Sequence, residues 1–144
     1  MIVIVCRPIR TGSIAVGKVA AVDFSNIFVI MLAMSYSIHY YSASVQDVIL
    51  GLPTTLQARY IGLTDRMRVV GANLGEPHTK AMGDGLFELR LMGAEGIARV
   101  MYCTLSGRRI VMLHGFIKKT QKTPHAELET AIRRMKEVKH VEAR

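Results

Sequence analysis

Tryptophan is absent from the chain, and aromatic residues make up only 6% of it. A platform that stacks unpaired bases needs several exposed rings, so this mode of single-strand binding is disfavoured. The only two cysteines, Cys6 and Cys103, form no CxxC pair, which argues against a disulfide framework or a zinc site and favours a reducing compartment. The longest apolar run, Ile27 to Met34, is far shorter than the roughly 20 residues that span a bilayer. We therefore expect a cytoplasmic protein without a membrane segment.

Acidic residues are scarce: 11 Asp and Glu stand against 19 Lys and Arg, which gives a formal charge of +8. This excess favours a polyanionic partner such as nucleic acid, or an acidic protein. The acids are scattered, so a nuclease that needs carboxylates to hold Mg²⁺ is disfavoured. Neither the GxSxG and HExxH motifs nor the Walker and Rossmann motifs are present. We expect no metal and no cofactor.

The chain divides in two at Met34. Residues 1–33 are rich in Ile, Val and Ala, and they show neither a helical period nor a strand alternation. Lys18 and Asp23 interrupt the apolar stretch that a secretory signal would need. We predict that residues 1–33 are an N-terminal extension, either poorly ordered or not part of the native protein, and that residues 34–144 form one domain.

Regular elements follow Met34. Alternation predicts a strand over Ser35–Tyr41, and a short helix over Ser44–Leu50 is expected next. Thr54 and Gln57 have the spacing of a capping box at the start of a second helix. The apolar stripe of this helix is predicted to comprise Leu56, Tyr60, Leu63, Met67 and Val70.

A loop is predicted over Glu76–Gly85, followed by three strands joined by links so short that the strands must be antiparallel. Thr123 and Pro124 suit an N-cap with proline at the first helical position, which predicts a last helix to about Val141. Together the elements predict an α+β domain. The three strands are predicted over Leu86–Leu91, Ile97–Leu105 and Arg109–Phe116.

Several basic side chains are expected on the open face and rim of this sheet. RNA carries its own nucleophile, the 2′-hydroxyl, so a metal-free enzyme needs only to orient it, remove its proton and stabilise the charge that develops on phosphate. Arginine and lysine supply most of that electrostatic stabilisation. The candidates are Lys80, Arg90, Arg99, Lys118, Lys119 and Lys122, with His78, His114 and His125 as further polar residues.

Three runs carry a family resemblance: GDGLFELR at 83–90, ARVMY at 98–102 and LHGFIKKTQKTP at 113–124. They resemble the RelE/ParE toxin superfamily, and most of all its phage-derived, HigB-type branch, over about Ser35–Val141. The resemblance implies a small antiparallel sheet with two N-terminal helices packed on one face and a C-terminal helix. It also implies a toxin that cleaves mRNA in the ribosomal A site without metal. Its partners would be the ribosome, mRNA and a cognate antitoxin, often one with a helix-turn-helix domain.

The resemblance also implies roles for individual residues. Arg99 matches the strand arginine that stabilises the scissile phosphate, although Ala98 replaces the aromatic residue that precedes it in the family. Lys119, with Lys118 before it, matches the basic position after the last strand, so both are assigned to phosphate or leaving-group stabilisation. Arg90 matches an RNA-positioning arginine. Lys80 and Lys122 are added to it as RNA-binding candidates.

The general base is left open. Glu88 occupies the position nearest to the proton-transfer lysines of some RelE proteins, and no late tyrosine follows Tyr102. Glu88, His114 and His78 are all candidates.

Structural roles are the alternatives for these residues. Arg90 and Arg99 would then pair with carboxylates on the sheet, Glu88 being one such carboxylate. The lysines would be a solvated charge run, and His114 a hydrogen-bonded core residue. Cys103 is expected to be a buried strand residue without a reactive thiolate.

Two functions of different classes follow from the resemblance. The first is the toxin of a type II toxin-antitoxin module that acts as a ribosome-dependent mRNA endonuclease. The second is a ParE-like inhibitor that binds DNA gyrase without cutting nucleic acid, since one fold serves both groups. A third, weaker possibility is a prophage toxin that still binds its antitoxin but has lost catalysis.

Overall fold

A computed structural model of the protein describes residues 24–144. Helices α1, α2, α3 and α4 span Phe24–Met34, Ala43–Leu50, Thr54–Val70 and His125–Glu142. Strands β1 to β5 span Ser37–Tyr40, Thr79–Gly83, Leu86–Gly93, Gly96–Leu105 and Arg109–Lys118.

The five strands form one sheet in the order β1-β5-β4-β3-β2. The short links make β2, β3, β4 and β5 antiparallel neighbours. Strand β1 pairs with β5 in parallel, which the long connection through α2, α3 and the other strands permits. Helices α2 and α3 pack on one face of the sheet and α4 on the other. The predicted α+β, RelE-like class is confirmed.

One predicted loop is wrong. The segment Glu76–Gly85 contains the edge strand β2, which pairs with β3 from Thr79 to Gly83. Only its first residue, Thr79, is fully buried, and Lys80 and Ala81 are exposed. An exposed edge strand of this kind lacks the apolar alternation by which strands are recognised in a sequence.

The first core layer lies between the sheet and helices α2 and α3. Four residues of the predicted α3 stripe are buried there, but the fifth, Val70, is 68% exposed because the helix ends at this residue. Tyr60 from this stripe hydrogen-bonds Tyr40 of β1 through the two hydroxyls, which are 2.9 Å apart. A buried polar pair therefore joins α3 to the parallel edge of the sheet.

The second core layer lies between the sheet and α4. Ala131, Met135 and Val138 of α4 pack against apolar side chains of β3, β4 and β5. Cys103 is fully buried in this layer, and burial raises the pKa of its thiol to about 11. The prediction of a buried strand cysteine without thiolate character is confirmed.

A β-bulge in β5 decides which of its side chains face α4. Met101 pairs with His114 and Tyr102 pairs with Met112, so Leu113 is an extra residue in β5. Beyond the bulge, His114, Phe116 and Lys118 face the same side as Arg99, since Arg99 pairs with Phe116.

The predicted capping box of α3 is wrong. Pro53 is the N-cap residue and makes no side-chain cap. The backbone N–H of Thr55 instead donates to Glu95 Oε1 over 3.1 Å, and its hydroxyl donates to Glu95 Oε2. Ala94 N–H donates to the Thr55 hydroxyl over 2.8 Å. The β3–β4 turn, some forty residues away in the chain, thus caps the helix.

From Ile27 to Leu32, helix α1 consists of apolar residues without a polar face, so its sequence shows no helical period. Phe28, Val29 and Met31 are each more than 60% exposed. Most of the predicted extension, residues 1–23, lies outside the described residues, so the boundary at Met34 stays a prediction. Within residues 24–144, no helix combines the length and the apolar character that crossing a membrane requires.

Close packing of α2 on β5 predicts the effect of a substitution at Gly115. A Cβ atom built there lies 2.7 Å from Cγ1 of Ile49, which is fully buried. We expect Gly115→Val to lower the free energy of unfolding by about 2 kcal/mol, because the core has no room for the added methyl groups. Gly62→Ala in α3 is the control: it meets no atom within 4 Å and should raise stability by up to about 1 kcal/mol. Urea unfolding measures the free energy of unfolding of both variants, and equal values would contradict the close packing at Gly115.

The Thr55–Glu95 contact predicts a pH dependence of stability. Hydrogen bonds from the Thr55 hydroxyl and backbone N–H lower the pKa of Glu95 from its ordinary value of 4.5. A carboxyl with a lowered pKa in the folded state stabilises the fold above its unfolded pKa and loses this effect as the pH falls through the folded pKa. The melting temperatures of the wild type and Glu95→Gln should therefore differ at pH 7, and the difference should shrink as the pH falls below 4.5. A difference in melting temperature that does not change with pH would count against the Thr55–Glu95 contact.

Candidate functional site

A buried carboxylate lies among basic side chains on the α4 side of the sheet. In the strand register, Lys80 of β2 is opposite Glu88 of β3, and Arg90 of β3 is opposite Arg99 of β4. Alternation in β3 places Glu88 and Arg90 on the same face. We call Glu88, Arg90 and Arg99 the Glu88 cluster.

Both carboxylate oxygens of Glu88 are engaged. Arg90 Nε donates to Oε1 over 3.1 Å, and Arg99 Nε lies 3.3 Å from the same oxygen. The hydroxyl of Thr123 donates to Oε2 over 2.8 Å. Glu88 is only 3% exposed. The carboxylate therefore accepts hydrogen bonds from Arg90 of β3 and from the loop after β5, and it forms an ion pair with Arg99 of β4.

Glu88 offsets an unfavourable pair of charges. Two arginines directly opposite each other on neighbouring strands repel, and burial strengthens the repulsion. Burial lowers the pKa of the Arg99 guanidinium and Arg90 lowers it further, while Glu88 acts in the opposite direction. Arg99 Nη1 also donates to the carbonyl of Ala98 over 3.1 Å.

Arg90 is the more accessible of the two arginines. Its side chain is 24% exposed, against 10% for Arg99. Its Nη1 donates to Glu76 Oε2 over 3.0 Å, and Glu76 is 65% exposed. Because an exposed carboxylate is readily displaced, an anion from solution can reach Arg90 at this point.

The predicted lysines surround the Glu88 cluster on three elements. Lys80 is exposed on the edge strand β2, and Lys118, half-buried at the end of β5, is opposite Ile97. Lys119 and Lys122 are exposed in the loop that leads to α4. The structure thus brings Arg90 and Arg99 into one ion-pair network and leaves the lysines in solvent around it.

The predicted cap of α4 is wrong. Pro124 is the N-cap residue, α4 begins at His125, and no side chain caps the helix. The Thr123 hydroxyl is directed to Glu88, 35 residues earlier in the chain. We call the segment between β5 and α4, which carries Lys119 and Lys122, the lysine loop. Thr123 therefore fixes the end of the lysine loop to the sheet.

His114 is held on both sides of its ring. Nε2 faces a carboxylate oxygen of Glu127, and Arg134 Nη1 lies 3.2 Å from Nδ1. Since arginine can only donate, Nδ1 is the acceptor and Nε2 carries the proton. This bonding fits the expected structural role, with His114 tying β5 to α4.

His78 lies beside the Glu88 cluster and, unlike His114, is held through its backbone. Its carbonyl accepts the Arg90 N–H over 2.8 Å, which extends the β2–β3 pairing by one residue. Its ring makes no hydrogen bond to any other residue of the described range. The backbone of His78 therefore lies across from Arg90, and both of its ring nitrogens are without a partner among residues 24–144.

Three site residues escaped sequence reasoning: Glu76, Thr123 as a partner of Glu88, and Glu127. Each contact spans 13 or more residues of chain. No local pattern marks such contacts, because they depend on how loops and α4 pack on the sheet. Over residues 24–144, no three His, Cys, Asp or Glu side chains are grouped so that they could hold a metal ion.

The Glu88 cluster predicts the order of three stabilities. Glu88→Ala leaves a buried arginine without a counter-charge and should lower the free energy of unfolding by about 3 kcal/mol. Glu88→Gln keeps an acceptor but not the charge, so its loss should be smaller. Glu76→Ala is the control, because an exposed pair contributes within about 0.5 kcal/mol. Urea midpoints test the order, and an effect of Glu76→Ala as large as that of Glu88→Ala would disprove it.

No individual curated protein matches the chain. The family model described as "Phage derived protein Gp49-like (DUF891)" matches residues 47–136, from α2 into α4, which is more than half of the chain and includes the whole Glu88 cluster. The protein therefore belongs to the phage-derived Gp49-like family.

Proposed function

We propose that the protein is the toxin of a type II toxin-antitoxin module and that it acts in the cytoplasm as a metal-independent, ribosome-dependent mRNA endonuclease. The Gp49-like family is associated with RelE-like toxins, which supports this reading. The α+β fold with α4 on one face of the sheet is consistent with it.

The observation that carries the proposal is the arrangement around Glu88. Two arginines lie side by side on the sheet, and four lysines surround them on β2, β5 and the loop before α4. This concentration of positive charge suits a phosphate backbone. A single carboxylate holds both arginines in fixed directions, as preorganised charge stabilisation requires.

Cleavage would proceed by attack of the RNA 2′-oxygen on the adjacent phosphorus. The bond to the 5′-oxygen breaks and this oxygen takes a proton from water, leaving a 2′,3′-cyclic phosphate on one fragment and a 5′-hydroxyl on the other. Arg99 would stabilise the negative charge on the phosphorane, and Lys118 and Lys119 the charge on the departing oxygen. Arg90, Lys80 and Lys122 would hold the flanking phosphates.

His78 is the best placed of the three candidates to remove the 2′-proton. Glu88 is buried with both oxygens engaged, and His114 has both ring nitrogens engaged. His78 is paired with Arg90 through its backbone, and its ring makes no hydrogen bond within residues 24–144. We therefore assign the general base to His78 and a positioning role to Glu88.

The proposed partners are the ribosome, mRNA and a cognate antitoxin with a helix-turn-helix domain. An acidic segment of the antitoxin would cover the face that carries Arg99 and Lys119. Cleavage of ribosome-bound mRNA by the toxin should then be lost when that segment is bound.

The test is a map of RNA 5′ ends in cells after brief induction of the full chain. We expect new ends at codon-phased positions in translated mRNA. Lys119→Ala and His78→Gln should each lower cleavage about a hundredfold or more, the usual effect of removing one stabilising or proton-transfer group. Lys136→Ala and His125→Ala on α4 are the matched controls, because both residues are exposed and outside the site.

Two outcomes would contradict the proposal. Growth arrest without new RNA ends, together with inhibited gyrase supercoiling, would move the protein to the ParE-like function. Full cleavage by both Lys119→Ala and His78→Gln would refute the assigned roles even if RNA is cut.

A further inference from the structure

A groove lies along α3 on the side of the sheet opposite the Glu88 cluster. It has a volume of about 620 Å³ and runs between α3 and the end of β3. Ala58, Gly62, Leu63 and Met92 contribute its apolar lining, and Arg59 and Arg66 contribute positive charge.

The two arginines of the groove have no acidic partner among residues 24–144. Both are exposed, and neither forms an ion pair with any residue between 24 and 144. No acid occurs three or four residues from either along the helix. Asp65, the neighbour of Arg66, lies 3.8 Å from Arg68 instead. The groove therefore presents two unpaired positive charges, seven residues or about 10.5 Å apart along α3.

The floor of the groove is open at Gly62, between the two arginines. A Cβ atom built on Gly62 meets nothing within 4 Å. Glycine is the poorest helix former after proline, and no contact within the described residues accounts for it in the middle of α3. Met92, beside it, is an apolar side chain that is 63% exposed. A second backbone can approach α3 closely here.

We propose that this groove binds an acidic amphipathic helix of a partner protein. Two carboxylates of the partner, seven residues apart, would pair with Arg59 and Arg66. Small and apolar side chains between them would pack on Gly62 and Met92.

The lining favours a protein helix over RNA. An RNA backbone is bound by charge and polar donors, and unpaired bases stack on aromatic rings. This groove offers two arginines and an apolar floor without any aromatic side chain. Helix-in-groove recognition uses apolar anchors flanked by charge pairs, which matches the groove. The inference does not depend on the proposed nuclease function, since the two surfaces lie on opposite faces of the sheet.

The test uses fluorescence polarisation with a labelled synthetic helix of about four turns. Its binding face carries two glutamates seven residues apart with alanine and leucine between them. We expect Arg59→Glu/Arg66→Glu to weaken binding at least tenfold, and a peptide with lysines in place of the glutamates to restore it. Gly62→Leu should abolish binding by filling the groove, while circular dichroism shows the helix content retained. Arg133→Glu/Lys136→Glu on α4 is the control with the same charge change and should bind within twofold of the wild type.

Three results would overturn the inference. The first is an acidic peptide that fails to bind the wild-type protein at low salt. The second is a peptide that binds Gly62→Leu as well as the wild type. The third is a single-stranded RNA of similar length that binds more tightly than the peptide and depends on Arg59 and Arg66, which would make the groove a nucleic-acid surface.

Discussion

The contact on which the site depends is one carboxylate shared by two arginines. Glu88 is buried between Arg90 and Arg99, and without its charge the register that places these arginines opposite each other would be a source of repulsion. The same carboxylate receives the Thr123 hydroxyl and so fixes the loop that carries Lys119 and Lys122. The position of the loop and the direction of the guanidinium groups therefore both rest on this one carboxylate.

Much of the fold can be predicted from local sequence patterns. Alternation in Leu86–Leu91 places Glu88 and Arg90 on one face, and the short turns that follow make the next two strands antiparallel. The 3.6-residue period of α3 identifies four of its buried side chains. These predictions are correct because each feature is determined by residues that are close together in the chain.

The missed features are decided by distant residues. The cap of α3 comes from Glu95, so the local capping pattern of Thr54 and Gln57 gives the wrong answer. Thr123 precedes a helix, as an N-cap should, yet a buried carboxylate on β3 is its partner. Strand β2 is missed because it forms by pairing with β3 and, as an exposed edge strand, shows no apolar alternation in its sequence. The pairing of Arg99 with Glu88 likewise becomes visible only with the β3–β4 register.

The bulge at Leu113 limits how this protein can change in evolution. Because one extra residue in β5 sets the side to which His114, Phe116 and Lys118 point, adding or removing a residue between Leu113 and Lys118 would turn every later side chain of the strand to the opposite face. The lysine loop would then start from the wrong side of the sheet. Relatives with altered specificity should therefore differ in this strand by substitution, whereas changes in length should collect in the turns.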